Sequence, residues 1–306
     1  MSLYQKHRPA DLTSVIGNKG IIEVLQPMLE NLDSCPHSFL LHGPTGCGKT
    51  TIGRIIATAL GSSGMDIKEI DSADFRGIDT VREIRKQCQY HPMQSNCQVW
   101  LVDECHKLTG DAQSALLKIL EDTPKHVYFI LCTTDPQKLL ATIRGRCSQF
   151  QVMPLNDDEM HKLLRRVSRL EGKRISSEVY AQIIEDSLGH PRNALVILDQ
   201  VFRVPADKQI EAAQQTAAQA SQAIELCRAL INNQSWKMVA SILTGLIGQD
   251  AEGIRRLVLA YCQSILLKGE NDKAQHIMEC FMDPFYDSGF PMLVLSAYQA
   301  FKPKGE

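Results

Sequence analysis

One run of eight residues, Gly43-Pro44-Thr45-Gly46-Cys47-Gly48-Lys49-Thr50, limits the folds open to this chain more than any other feature. It fits G-x-x-x-x-G-K-[ST], in which glycines let the backbone turn tightly and aim its N–H groups at one phosphate. Lys49 is placed to reach β- and γ-phosphates, and the Thr50 hydroxyl, followed by Thr51, to ligate Mg²⁺. The flanks have the required form. Ser38-Phe39-Leu40-Leu41 reads as a buried strand running into the loop. Ile52, Ile55, Ile56, Ala59 and Leu60 then repeat at helical spacing, and Gly61 offers a stop.

Five strands in all are expected, at Phe39–His42 (the strand just described), Ile67–Ile70, Val99–Val102, Val127–Cys132 and Ser148–Val152, with helices between them. This alternation predicts an α/β domain on a largely parallel sheet over residues 1–153. Thr80-Val81-Arg82-Glu83 has the form of a capping box and predicts a helix start. Ala112, Ala115, Leu116, Ile119 and Leu120 form another apolar stripe, ending before Pro124. After Pro154 the pattern is helical only. Asn156 or Asp157 caps a helix carrying Met160, Leu163, Leu164 and Val167, and further helices cover Val179–Leu188 and the stretch after Gly189-His190-Pro191. Pro205 and Asp207 mark a linker. The expected domains are 1–153, 154–205 and 206–306, the last with four or five helices and no strand.

Val99-Trp100-Leu101-Val102-Asp103-Glu104 is an apolar strand ending in two acids. A parallel strand delivers its C-terminal residues to the mouth of the sheet, beside the phosphate loop. There Asp103 would hold Mg²⁺ and Glu104 would polarise a water as general base; the bland alternative is a strand end with two solvated acids. Tyr128–Cys132 is a second such strand, and the hydroxyls of Thr133 and Thr134 either touch a γ-phosphate or simply start a turn. Arg144, Arg146 and Arg192 each sit at a loop or helix start, where a guanidinium can neutralise a transferring phosphoryl group or lie in solvent.

Bulk properties narrow the classes. The chain has 306 residues, 22% charged and 44% hydrophobic, with a net charge of −2. There is no global basic field, so nucleic acid would be held by a local patch or by surfaces assembled between copies. No apolar run approaches the ~20 residues needed to span a bilayer, and Met1–Pro9 lacks a signal-peptide core. The ten cysteines include no C-x-x-C and are expected to be reduced thiols in a cytoplasmic protein, neither a disulfide framework nor a zinc site.

Long ordered segments carry a resemblance. Val102–Leu108 (Val-Asp-Glu-Cys-His-Lys-Leu), Ala115–Glu121 and Cys132–Leu139 are similar to the bacterial DNA polymerase III gamma/tau subunit. Glu69–Arg82 is more similar to the replication factor C small subunit. Over residues 3–200 the chain resembles AAA+ clamp-loader ATPases. The resemblance implies an AAA+ P-loop domain, a small helical lid and an all-α collar that joins subunits. It implies ATP and Mg²⁺, no zinc, and Tyr4, Arg8, Pro9, Val15 and Ile16 closing over the adenine. It makes Thr134 a first sensor, Arg192 a second sensor on the lid, and Arg146 a finger reaching the neighbouring subunit's nucleotide. Gly145 stands where a Ser is usual before that arginine, which leaves Arg144 as a rival. Arg76, Ile78, Thr80 and Arg82 would track DNA, with Arg85 and Lys86 near one helix face; a solvated charged face is the alternative.

The implied function is ATP-dependent loading of a sliding clamp onto primer–template DNA by a ring of about five like or unlike subunits, in the cytoplasm of a bacterium or an infected host. Two alternatives stand beside it. One is another AAA+ DNA motor, for Holliday-junction branch migration or helicase loading. Such junction motors carry a winged-helix domain, for which residues 207–306 offer no strand pair. The other is a catalytically silent structural subunit, against which Lys49, Thr50, Asp103 and Glu104 are all present.

Overall fold

In the computed structural model, residues 2–72, 76–220, 222–267, 269–285 and 288–302 are described. Ala73, Asp74 and Phe75, within the replication factor C-like segment, lie outside them. By packing, the chain divides into two compact units: Met1–Leu170 with Gly189–Arg192, and Glu171–Leu188 with Asn193–Glu306.

Five parallel strands form the sheet of the first unit: β1 (Ser38–His42), β2 (Ile67–Asp71), β3 (Gln98–Asp103), β4 (Val127–Thr133) and β5 (Ser148–Gln151), in the order β2-β3-β4-β1-β5. All five expected strands are present. Alternation along each strand sends side chains to two cores. Phe39, Leu41, Val99, Leu101 and Ile130 face one layer with Leu25, Ile52 and Ile56. Leu40, Trp100, Val102, Phe129 and Leu131 face the other with Val81, Leu116 and Ile143.

The helices of this unit are α1 (Leu3–Lys6), α2 (Lys19–Glu30), α3 (Lys49–Ala59), α4 (Ile78–Gln87), α5 (Gly110–Glu121), α6 (Ala141–Arg144) and α7 (Asp157–Leu170). Helix α3 departs from its expected stripe at one place. Ala59 is exposed, and Gly53 and Ala57 are buried instead. A Cβ on Gly53 would stand 3.0 Å from Leu101 and 3.1 Å from Ile130, so the missing side chain lets the helix lie close on the sheet. Helix α4 also departs. It starts at Ile78 after Gly77, with no side-chain cap, and Thr80 lies inside it. The Thr80–Glu83 stretch therefore lies within the helix, with Val81 buried, and is not a capping box. Helix α5 starts where Thr109 accepts the Ala112 N–H, and its stripe holds, with Ala115 only partly buried. Asn156 rather than Asp157 caps α7: its side chain accepts the Glu159 N–H at 2.9 Å, and Glu159 accepts the Asn156 N–H at 3.1 Å.

The second unit holds α8 (Ser177–Ser187), most of α9 (Pro191–Val201), α10 (Gln209–Ala220), α11 (Gln222–Ile231), α12 (Trp236–Gly245), α13 (Ala251–Leu266), α14 (Asp272–Cys280) and α15 (Gly289–Phe301). Six helices, not four or five, thus follow residue 206 among the described residues, and none of those residues is in a strand. Their core gathers Leu226, Leu230, Val258, Ile277, Phe281, Phe285 and Leu293. Tying it together, Arg255 grips Glu252 through two bonds of 2.8 and 2.7 Å and donates to the Phe281 and Met282 carbonyls, while Glu252 accepts the Phe285 N–H at 2.9 Å. No described helix is long and apolar enough to cross a membrane.

Candidate nucleotide site

Because the strands are parallel, β1, β3 and β4 end on the same edge, and their last residues converge there. The loop 43–50 leaves β1 at that edge and opens helix α3, whose free N–H groups suit an anion. Gly43 is required at the turn. Its φ is +145, and a Cβ would lie 2.1 Å from the Val152 carbonyl oxygen. Its N–H donates to the Thr133 carbonyl at 3.2 Å, fixing the loop to β4.

Lys49 is 5% exposed, yet its ammonium is satisfied by its own loop, donating to the Gly43 and Pro44 carbonyls at 2.9 Å each. Thr50 Oγ1 donates to Asp103 Oδ2 at 2.7 Å, and Asp103 Oδ1 accepts the Glu104 N–H at 2.9 Å. The hydroxyl and carboxylate so paired are hard oxygen donors, the chemistry that suits Mg²⁺. Glu104 has a φ of +47, unusual for a residue with a side chain. Its carboxylate accepts from Thr134 Oγ1 at 3.1 Å. Thr133 also starts a turn, since its hydroxyl accepts the Asp135 N–H at 3.0 Å.

A second wall comes from Gly189–Arg192, which lead into α9, and from the N-terminal segment, all within the first unit. The Arg192 N–H donates to the Gly46 carbonyl at 3.4 Å, and its guanidinium lies 5.6 Å from the Tyr4 ring. Arg8 is half-buried; burial lowers its pKa, and Arg54 and Arg192 lower it further while Glu69 acts the other way. Pro9 follows, partly buried. Val15 and Ile16 are half-buried, in a segment held by Arg166, which donates to the Ser14 carbonyl at 2.8 Å, and by Asn18, which clasps both backbone groups of Met153. Cys47 Sγ sits 3.4 Å from His190 Nδ1. Burial pushes the Cys47 thiol up to about 11, with Lys49 opposing, so it stays protonated near neutrality. The His190 imidazole is lowered, first by burial.

Among the described residues, Arg146, Arg144 and Arg82 are held by partners away from the loop. Arg146 pairs with Glu121 at 2.6 Å and donates to the Thr142 carbonyl at 3.1 Å. Arg144 donates to Gln137 at 2.9 Å, and its Nε is buried without a partner. Arg76 precedes α4, its carbonyl accepting the Thr109 N–H at 3.1 Å. Ile78 and Thr80 are partly buried, whereas Arg82, Arg85 and Lys86 are exposed on α4, and Arg82 pairs with Asp79 at 2.8 Å. Sequence reasoning gave no role to His106, His190 or Glu121.

The family model for the delta subunit of DNA polymerase III matches residues 64–156. DNA polymerase III subunit gamma/tau of Mycobacterium tuberculosis is 35% identical over 235 residues, 69% of this chain and 40% of that protein. Subunit tau of Bacillus subtilis is 30% identical over 67% of this chain and 40% of that protein, and subunit gamma of Buchnera aphidicola 32% over 66% and 61%. The chain thus spans about 40% of the length of the gamma/tau relatives. Among solved structures, the Holliday junction branch migration motor RuvB of Thermotoga maritima matches with a TM-score of 0.60 at 21% identity, over 73% of this chain and 79% of that one. A mutant of the same protein matches at 0.62 and 16% identity over 95% and 91%. Identities this low speak for the fold alone. Sheet order, phosphate loop and the gamma/tau relatives agree, and over the stretch shared with them the chain belongs to the AAA+ clamp-loader family.

Proposed function

We propose that this chain binds and hydrolyses ATP as a subunit of a clamp loader, and that hydrolysis is coupled to placing a sliding clamp on primer–template DNA. The observation that carries the reading is the convergence of Lys49, the Thr50–Asp103 pair at 2.7 Å and the Glu104–Thr134 pair at 3.1 Å on one strand edge. The loop N–H groups and the Lys49 ammonium would receive the phosphates. Thr50 and Asp103 would hold Mg²⁺, which when bound offsets phosphate charge. Glu104 would orient the attacking water and take up its proton, and Thr134 would hold that carboxylate in place. Tyr4, Arg8, Pro9, Val15 and Ile16 would close on the base.

Arg192 would read the nucleotide from a lid spanning 154–205, and residues 206–306 would be the collar through which about five subunits assemble. Arg146 would leave Glu121 to reach a neighbour's phosphates. Arg76, Ile78, Thr80 and Arg82 would follow the DNA backbone, with Arg85 and Lys86 beside them. In this reading the protein works in the cytoplasm and needs no zinc.

The test is steady-state ATP hydrolysis by the full chain alone, with primer–template DNA, and with DNA plus the clamp of the same replisome. Stimulation that requires the primed junction and rises with clamp supports loading. Equal turnover on blunt duplex, indifferent to clamp, would point to a DNA motor. Absence of ATP binding would leave a structural subunit.

A further inference from the structure

Beside the Glu104 carboxylate lies a group that the reading above does not use. His106 Nδ1 stands 3.3 Å from Glu104 Oε2 and 3.0 Å from Thr133 Oγ1. Its side chain is only 11% exposed. Thr133 is fully buried in β4, and its hydroxyl oxygen already accepts the Asp135 N–H, so it is a fixed point against which the ring is set. The oxygen has two acceptor sites, one for each of these donors. An Nδ1 lone pair turned toward a carboxylate oxygen at this distance would be repelled. An Nδ1–H there is attracted to both oxygens, so the proton belongs on Nδ1.

We propose that His106 is a positioning residue: its Nδ1–H, anchored on Thr133, holds one oxygen of Glu104 while Thr134 donates to the same oxygen, leaving Oε1 for the attacking water. The inference rests on Glu104 being the base of an ATPase. The left-handed backbone at Glu104 gives the arrangement a purpose. A residue with φ +47 occupies a narrow, strained well, and its side chain reaches this place only if neighbours hold it. Two donors converging on one oxygen do so from two different elements: β4 with its following turn, and the short turn 105–107 after β3. The charged groups facing the ring are Glu104 and Asp135, which raise its pKa, and Lys138 and Lys107, which lower it. Burial, the largest influence, keeps it below the ordinary histidine range and hence neutral near pH 7.

Two measurements test this. Ring titration of His106 by NMR, assigned with His106→Gln, should move to lower pH in Glu104→Gln, because the carboxylate that raises it is gone. No movement would overturn the contact without reference to hydrolysis. In the stimulated ATPase assay, His106→Ala should lower kcat roughly 10- to 100-fold, a range known for groups that orient another. ATP affinity should hold, and His106→Asn, which keeps an N–H near the Nδ1 position, should recover most of the loss. Equal loss in Ala and Asn, or loss of affinity along with kcat, would mean a merely structural ring and overturn the proposal. Normal turnover in Glu104→Gln itself would instead remove the ATPase assignment beneath it, whatever the titration shows.

Discussion

Lys49 holds the carbonyls of its own loop, and this has two sides. The buried ammonium is satisfied and the loop is kept shaped. In the proposed function an incoming phosphate would then meet a cation already in place. Lys49→Ala should abolish binding of a fluorescent ATP analogue while thermal melting of the chain still shows a cooperative transition. Glu104→Gln should bind the analogue normally and hydrolyse ATP about 10²- to 10⁴-fold more slowly, the range for loss of a general base; near-normal turnover would sink the assignment. Arg146→Ala should bind ATP but lose the turnover gained on assembly, and if Arg144→Ala does this instead the finger lies two residues earlier. The loop, Asp103 and Glu104 were legible in the sequence because spacing and strand context carry them. His106 was not, since its meaning lies in a contact with β4 that no local pattern encodes.

Elements were read well where apolar period and length agreed, as in all five strands. They were read poorly where a local motif competed with tertiary packing. Helix α4 begins two residues before Thr80 because Val81 and Ile84 must face the sheet, and the backbone follows that burial rather than the capping pattern. Gly53 was invisible to a search for apolar side chains, since what it contributes is the absence of one. Gly53→Val should cost about 1–3 kcal/mol by overpacking against Leu101 and Ile130, read as a lower urea midpoint. Thr109→Ala removes the cap of α5 and should cost about 1 kcal/mol by the same measurement.

Over the whole chain, the two units carry different sensitivities. In the second, Glu252 is pulled down to about 2 from an ordinary 4.5, chiefly by hydrogen bonds from Arg255; burial opposes this, and the Phe285 N–H and Arg256 add to it. The folded state keeps the carboxylate charged where the unfolded chain would protonate it. The clasp therefore contributes fully above pH 4.5 and fades as pH falls from there toward 2. Urea unfolding followed through Trp236 between pH 6 and 3 should show this loss. Glu252→Gln should be less stable at neutral pH and show a flatter profile over that range. The helical unit left fewer traces in the sequence, since residues 211–223 are rich in Ala, Gln and Ser and favour helix without marking a buried face.

Sheet order sets a timetable for synthesis. Strand β1, which leads into the phosphate loop, pairs with β4 and β5 and not with β2, so its neighbours are the last two strands of the sheet to leave the ribosome. A nascent chain that has not yet released Thr133 has the complete loop sequence but nothing for the Gly43 N–H to donate to, and β1 stands with both edges bare. Nucleotide therefore cannot seed the first collapse of this domain. On the proposed function it would only fasten a sheet that long-range pairing has already closed, so ATP would act late, as a seal on a finished domain.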